Sequence, residues 1–256
     1  MSITTNRRQA LAGLLAAPFA GACATTATPP VDGRFLDTGD SNFNNPNNWS
    51  GKVVPTGTAT IDLTQGAGNL VTFSETQTTL MEIRLTGNFS MIIPTGKSVA
   101  LGGAGLLIGG NATVQIDGRL NGAVVVRPQY GGLMGNGGTI KGNVTLESGS
   151  VIPGTMQQGA GTLTIVGGYT QVGGGLVIRL SGGTFGLLDV RDGDGGSGRA
   201  TISGTASTLT FDPLGRPVPR GSKIRALATT KGLTGRFPHV TGARADYDAN
   251  TAYLYW

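Results

Sequence analysis

Gly149-Ser150-Val151-Ile152-Pro153-Gly154-Thr155 is followed by Gly161-Thr162-Leu163-Thr164-Ile165, Gly168-Tyr169-Thr170-Gln171 and Leu176-Val177-Ile178-Arg179-Leu180. The same style continues through Leu187-Leu188-Asp189-Val190 and Gly198-Arg199-Ala200-Thr201-Ile202, and it ends with Pro219-Arg220-Gly221-Ser222-Lys223-Ile224 and Gly235-Arg236-Phe237. Each unit is short, alternates an aliphatic with a hydroxyl or polar residue, and is bounded by Gly. Alternation with period two is the mark of a half-buried strand, and Gly or Pro at both ends marks the turns between strands. No unit is long enough to bury a core alone, so the strands must stack on one another.

Three segments upstream align: Gly87-Asn88-Phe89-Ser90-Met91-Ile92-Ile93, Gly110-Asn111-Ala112-Thr113-Val114-Gln115-Ile116 and Gly142-Asn143-Val144-Thr145-Leu146-Glu147-Ser148. The interval from Gly87 to Gly110 suits one turn of a stacked coil. The interval from Gly110 to Gly142 is longer, which predicts that a loop around Arg127–Gly138 bulges from the stack. Gly and Asn tolerate left-handed backbone and suit sharp corners. A Gly-Asn pair also fits a two-residue hairpin in an antiparallel sheet; irregular strand spacing, taken with a C-terminal stretch that resembles surface β-helix proteins, favours the stack. The chain holds 45 Gly among 256 residues without a Gly-X-Y period, which excludes collagen.

The stretch from Gly149 to Phe237 resembles the C-terminal part of autotransporter-type passenger domains and related bacterial surface β-helix proteins. That resemblance implies an all-β fold, a single-stranded right-handed parallel β-helix (β-solenoid) with capped ends, on or near the surface of a Gram-negative cell. It covers residues 149–256 well and residues 35–148 only in style. Phe43-Asn44-Asn45-Pro46-Asn47-Asn48-Trp49-Ser50-Gly51 with Val54-Pro55-Thr56 resembles an aromatic lid found before the first coil of such proteins. The expected organisation is a β-helix domain over 35–256, with an N-terminal cap over 35–63, coils over 64–244 and a C-terminal cap over 245–256. Tyr247, Tyr253, Tyr255 and Trp256 would cover that last end. A translocator barrel needs many amphipathic strands, and the expectation is a passenger-type segment without one.

Residues 1–23 read as a signal peptide. Arg7 and Arg8 precede an apolar run from Ala10 to Ala22 that is too short to span a bilayer as a helix. Asn6-Arg7-Arg8-Gln9-Ala10-Leu11 resembles a twin-arginine export signal, and Ala20-Gly21-Ala22-Cys23 resembles a lipoprotein box that would leave Cys23 lipidated. Cleavage after Ala24 is the other reading. Residues 24–34, rich in Thr and Pro, read as a flexible tether. Cys23 is the only cysteine, which excludes an intrachain disulfide and a cysteine-based metal site. The expected location is the outer membrane or cell surface, with periplasm or secretion as alternatives.

Chemistry is sparsely supplied. The single histidine, His239, is less a ligand or catalytic base than a cap or loop residue, and no nucleophile elbow appears. Acidic residues are 11 Asp and 3 Glu; Asp192-Gly193-Asp194 lacks calcium-loop spacing and reads as a solvated turn. Glycine runs such as Gly102-Gly103-Ala104-Gly105 lack the Lys-Ser/Thr ending of a phosphate loop. Positive charge, net +5, is spread along the chain, which gives nucleic-acid binding no support. Thr58/Thr60 and Thr76/Thr78 suggest no coil-to-coil threonine row. Trp49 and Tyr130, and less so Tyr169, are candidates for stacking on a sugar. The expectation is therefore a non-catalytic, lipid-anchored envelope scaffold or adhesion-type protein. It would contact an envelope protein or polysaccharide, touch the membrane through its N-terminal lipid, and use no small-molecule cofactor. A polysaccharide-binding or -processing module is the alternative.

Overall fold

The structure, a computed structural model, describes residues 28–36, 38–63, 69–127, 129–155, 157, 159–193, 195–218 and 221–256. Arg7, Arg8 and Cys23, and with them the export and lipidation readings, lie outside the described residues. Among the described residues the chain is all-β apart from one short 3-10 turn, Pro46–Asn48. Its strands form a 17-stranded and a 9-stranded sheet in which nearly every pairing is parallel. Among the described residues no helix is long and apolar enough to cross a membrane.

Successive passes of the chain lay equivalent residues over one another. On the smaller sheet, Val71, Met91, Val114, Leu133, Val151, Leu176, Leu209 and Val240 form one register column. The larger sheet contributes two such columns. One runs Thr78, Val99, Leu120, Ile140, Ile165, Val190, and the other Ala59, Ile83, Leu106, Val124, Val144, Tyr169, Ala200, Leu233. A full pass therefore supplies three strand positions, an arrangement compatible with a β-solenoid. The inward members of the three columns are almost all buried aliphatics and make one continuous core. This is the outcome period-two alternation requires once each pass covers the last. Ile165 is fully buried between Ile140 and Val190, as its alternation predicts.

Glycine is needed where passes close up at a corner. Gly142 sits at φ 153°, and a Cβ there would lie 2.2 Å from the Gly122 carbonyl oxygen; a Cβ on Gly167 would lie 2.1 Å from that of Gly142. Side chains at these positions would force the passes apart.

Three expectations need correction. The segment around Arg127–Gly138 does not bulge: Gly132–Gly135 is a strand of the smaller sheet, paired with Thr113–Ile116 on one side and Ser150–Pro153 on the other. Gly142-Asn143 is not equivalent to the earlier Gly-Asn pairs. Gly87 and Gly110 lie where the chain leaves the larger sheet, whereas Gly142 lies between strands Thr139–Lys141 and Val144–Leu146 of that sheet. A Gly-Asn pair marks a corner without saying which. The end of the expected tether is also held: Gly33 and Arg34 pair with Ala59 and Thr60, and the Val31 carbonyl accepts from the Thr56 and Gly57 amides.

Pass length changes along the stack. The step from Leu133 to its register partner Val151 is short, and the step from Leu176 to Leu209 is nearly twice as long. Part of the added chain leaves as hairpins, such as Asp192–Gly193 against Gly196–Ser197, so the inward register is kept. At this widening Tyr169 and Gln171 point inward. The Tyr169 hydroxyl donates to Gln171 Oε1 at 2.8 Å, and Gln171 Nε2 donates to the Gly174 carbonyl at 2.8 Å. Burial pushes the Tyr169 pKa up and keeps its phenol protonated.

Candidate functional site

Three kinds of ground stand out on the outward surface of the described residues. The first is neutral. Thr145, Thr170, Thr201 and Thr234 stack in register on the larger sheet. This is a coil-to-coil threonine row, formed by residues other than the Thr58/Thr60 and Thr76/Thr78 pairs. Each strand contributes a single hydroxyl to it, because the sequence places one Thr per pass at that column.

The second consists of ion pairs closed on themselves. Asp62 pairs with Arg34, Glu82 with Arg84, Asp189 with Arg191, Asp192 with Lys231, Asp212 with Arg179 and Asp246 with Lys223. Most of these partners are close in sequence or on facing strands, where opposite charges are favoured. Lys231 and then Thr230 hold the Asp192 carboxyl below its ordinary range. Asp192 thus spends its charge on a lysine, and Asp194 lies outside the described residues. Among the described residues no three His, Cys, Asp or Glu side chains come together as a metal site would need. His239 is exposed on strand His239–Thr241, paired with Thr208–Thr210.

The third is a polar cleft of about 410 Å³ at the corner where the chain passes from the larger to the smaller sheet, lined by Gly87, Asn88, Gly110, Asn111, Arg127 and Gln129. Three consecutive passes build it. The Asn111 amide donates to the Gly87 carbonyl at 2.6 Å and the Gln129 amide to the Gly110 carbonyl at 2.9 Å, so the side chains rise from a floor of bare glycine backbone. Arg127 grips Glu147 of the next pass with two bonds, Nε to Oε2 at 2.6 Å and Nη2 to Oε1 at 2.9 Å. That grip holds the Glu147 carboxyl below its ordinary range and raises the Arg127 pKa. An ionised, paired Glu147 accepts hydrogen bonds and is a poor proton donor near neutrality. Tyr130, next to Gln129, is 70% exposed.

Of the residues singled out in the sequence, Tyr130 is exposed and adjoins the cleft residue Gln129 in the chain. Trp49 is corrected: it is wholly buried, its indole N–H donates to the Phe43 carbonyl at 2.7 Å, and its ring meets Phe35 and Phe43. Burial also removes Tyr169 as a surface contact. Asn88, Asn111, Arg127 and Gln129 escape sequence reasoning as ligand groups. The signal for the two asparagines is the repeated Gly-Asn, which reads as turn chemistry until the passes are stacked; Arg127 and Gln129 carry no such signal. No protein-family model matches this chain, and no curated protein matches it with significance.

Proposed function

We propose that the protein is a non-catalytic cell-envelope scaffold or adhesion-type protein, built as a capped, right-handed parallel β-helix whose sides meet a protein or polysaccharide partner. The right hand follows from the twist of L-residue strands, which favours right-handed crossovers between parallel strands. The observation that carries the reading is the state of the carboxylates. Seven of them, Glu147 and the six paired above, each bind a neighbouring Arg or Lys. Glycoside chemistry needs instead two carboxyls at a set separation, one of them with a raised pKa. The sides also offer Thr, Ser, Asn and Gln, suited to recognition, beside charged residues outside these pairs such as Lys97, Asp117 and Arg119. Export rests on the sequence alone: Arg7, Arg8, the apolar run and Cys23.

Protease treatment of intact cells carrying an epitope in the turn between Gly193 and Gly196 tests this reading. Cleavage of the epitope is the expected result. Full protection, with the protein in a soluble periplasmic fraction, would remove the adhesion role. Replacing Cys23 with Ser should release the protein from membranes, and unchanged partitioning would remove the lipid anchor.

A further inference from the structure

We infer that the corner cleft formed by Asn88, Asn111, Arg127 and Gln129, together with the exposed Tyr130 that follows Gln129 in the chain, is a binding subsite for an uncharged glycan lying along the stack. The inference rests on the scaffold reading and names its ligand class. Three observations combine. First, the cleft's polar groups are free. Among the described residues the side chains of Asn88, Asn111 and Gln129 make no hydrogen bond within the protein, so their amide donors and acceptors face solvent. Each planar amide offers a donor and an acceptor side by side. That geometry suits the neighbouring hydroxyls of a pyranose, each of which donates and accepts.

Second, the one strong charge pair is internally neutralised. Arg127 and Glu147 hold each other in a fixed plane, which leaves donors and acceptors in place without a net charge to attract an ion. An acidic glycan would find a better partner at another corner. There, Lys97 and Arg119 line a cleft of about 360 Å³ beside Asp117, whose carboxylate is already bound by the Gln115 side chain and the Asn136 amide.

Third, an exposed aromatic residue directly follows the cleft residue Gln129 in the chain. Tyr130 is 70% exposed, so most of its side chain is accessible, and the C–H face of a sugar ring is a surface a tyrosine ring stacks on. The glycine floor fits this arrangement. A Cβ on Gly110 would meet Gly87 N at 2.4 Å, so the floor cannot be raised and the ligand can approach backbone directly. Asn88 and Asn111 recur on adjacent passes, about 4.8 Å apart along the stack. The subsite therefore repeats in the direction a linear polymer would run.

Affinity electrophoresis of the purified protein tests the inference, in native gels cast with laminarin, hydroxyethylcellulose, galactomannan or amylopectin. Polygalacturonate serves as the acidic comparison. The expected result is retardation by at least one neutral polymer. Affinity should fall about tenfold with Tyr130→Ala, the cost of a lost ring stack, and fall again with Asn111→Ala. Tyr130→Phe should bind as the parent does. Tyr130 is exposed, so its loss should leave the fold intact; an unchanged circular dichroism melt checks this. Retardation by no neutral polymer, or equal retardation of the parent and the two alanine variants, would overturn the subsite. So would retardation by polygalacturonate alone that Arg119→Ala abolishes. None of these outcomes bears on surface exposure, which the protease experiment reads separately.

Discussion

The two ends of the stack are closed by different physics. At the N-terminal end Phe35, Phe43, Trp49 and Phe73 form a dry plug. Phe43 stacks on Phe73 with centroids 4.2 Å apart, and Trp49 meets Phe43 edge-on at 4.9 Å. Around it, asparagine amides satisfy the irregular backbone: Asn48 Nδ2 donates to the Asp40 and Asn42 carbonyls, and Asn44 Oδ1 accepts from the Ser74 and Glu75 amides. At the C-terminal end the pairing turns antiparallel. Thr251–Tyr255 lies between Lys223–Thr229 and Arg244–Tyr247, and much of its cover is half-exposed. Lys223 there bonds Asp246 at 2.6 Å and sits 4.3 Å from the Tyr253 ring centroid, while the Tyr253 hydroxyl donates to Asp248 at 2.9 Å. A parallel stack exposes a pairing edge at each end. One end hides it under apolar volume. The other ends it by reversing the strand direction and adding charge. The N-terminal end should therefore be sensitive to lost volume, and the C-terminal end to lost charge.

The largest expected effect is on the plug. Trp49→Ala removes its largest buried side chain and orphans the Phe43 carbonyl. The loss should be about 3–5 kcal/mol. Each pass touches only its neighbours, so the damage should be local. Hydrogen exchange should show lost protection in Thr58–Leu63 and little change in Thr251–Tyr255. Equal loss at both ends would mean that the stack unfolds as one unit. A smaller step uses Asn48→Ala, which leaves two partly buried carbonyls without their donor at about 1–3 kcal/mol. The same exchange experiment should place that loss in the same strand.

At the other end Trp256 stacks on Phe211, 4.6 Å between centroids at 18°, but is only partly buried, and its indole N–H finds no acceptor among the described residues. Trp256→Ala should cost about 1 kcal/mol, well below the cost at Trp49. Trp256→Phe should be neutral or slightly stabilising in a thermal melt, because it keeps the stack and deletes an unpaired donor. A Trp256→Ala loss as large as that at Trp49 would erase the distinction between the ends.

How far the sequence carries a reader follows from the same contrast. Ile165 and its column are legible because alternating aliphatics have one place to go. Tyr169 is not: in Gly168-Tyr169-Thr170-Gln171 the inward positions hold a Tyr and a Gln, which look like surface chemistry until each is seen to satisfy the other. Trp49 sits among Asn and Ser, and its burial goes with a bond to the Phe43 carbonyl that the Pro46–Asn48 turn brings near. The corner cleft is hidden for a further reason. Asn88, Asn111 and Arg127 become neighbours only through the stacking of passes, and the register of that stack is set by pass lengths that nearly double along the chain.

The smallest expected effect separates the ends most cleanly, because the chain has two tryptophans, one at each end. Asp246 and Asp248 both titrate below the ordinary 3.8. The cause is chiefly the Lys223 ammonium for Asp246, and the Asn250 amide followed by the Tyr253 hydroxyl for Asp248. A depressed folded pKa gives stability that is present above the unfolded value and is lost as pH falls through the folded one. The C-terminal pairing should accordingly loosen below about pH 3.8. Lys223 is shifted upward by the same pair, so its share is present at neutral pH and fades above about pH 10.5. In a Trp49→Phe variant the remaining Trp256 should red-shift in acid and again in strong alkali. In a Trp256→Phe variant Trp49 should keep its buried emission through the acid window. Asp40 in the lid is also held low, by the Asn45 side chain and the Asn42 amide, but its protonation touches none of the rings that enclose Trp49. If Trp49 moves first in acid, charge rather than volume closes the N-terminal end.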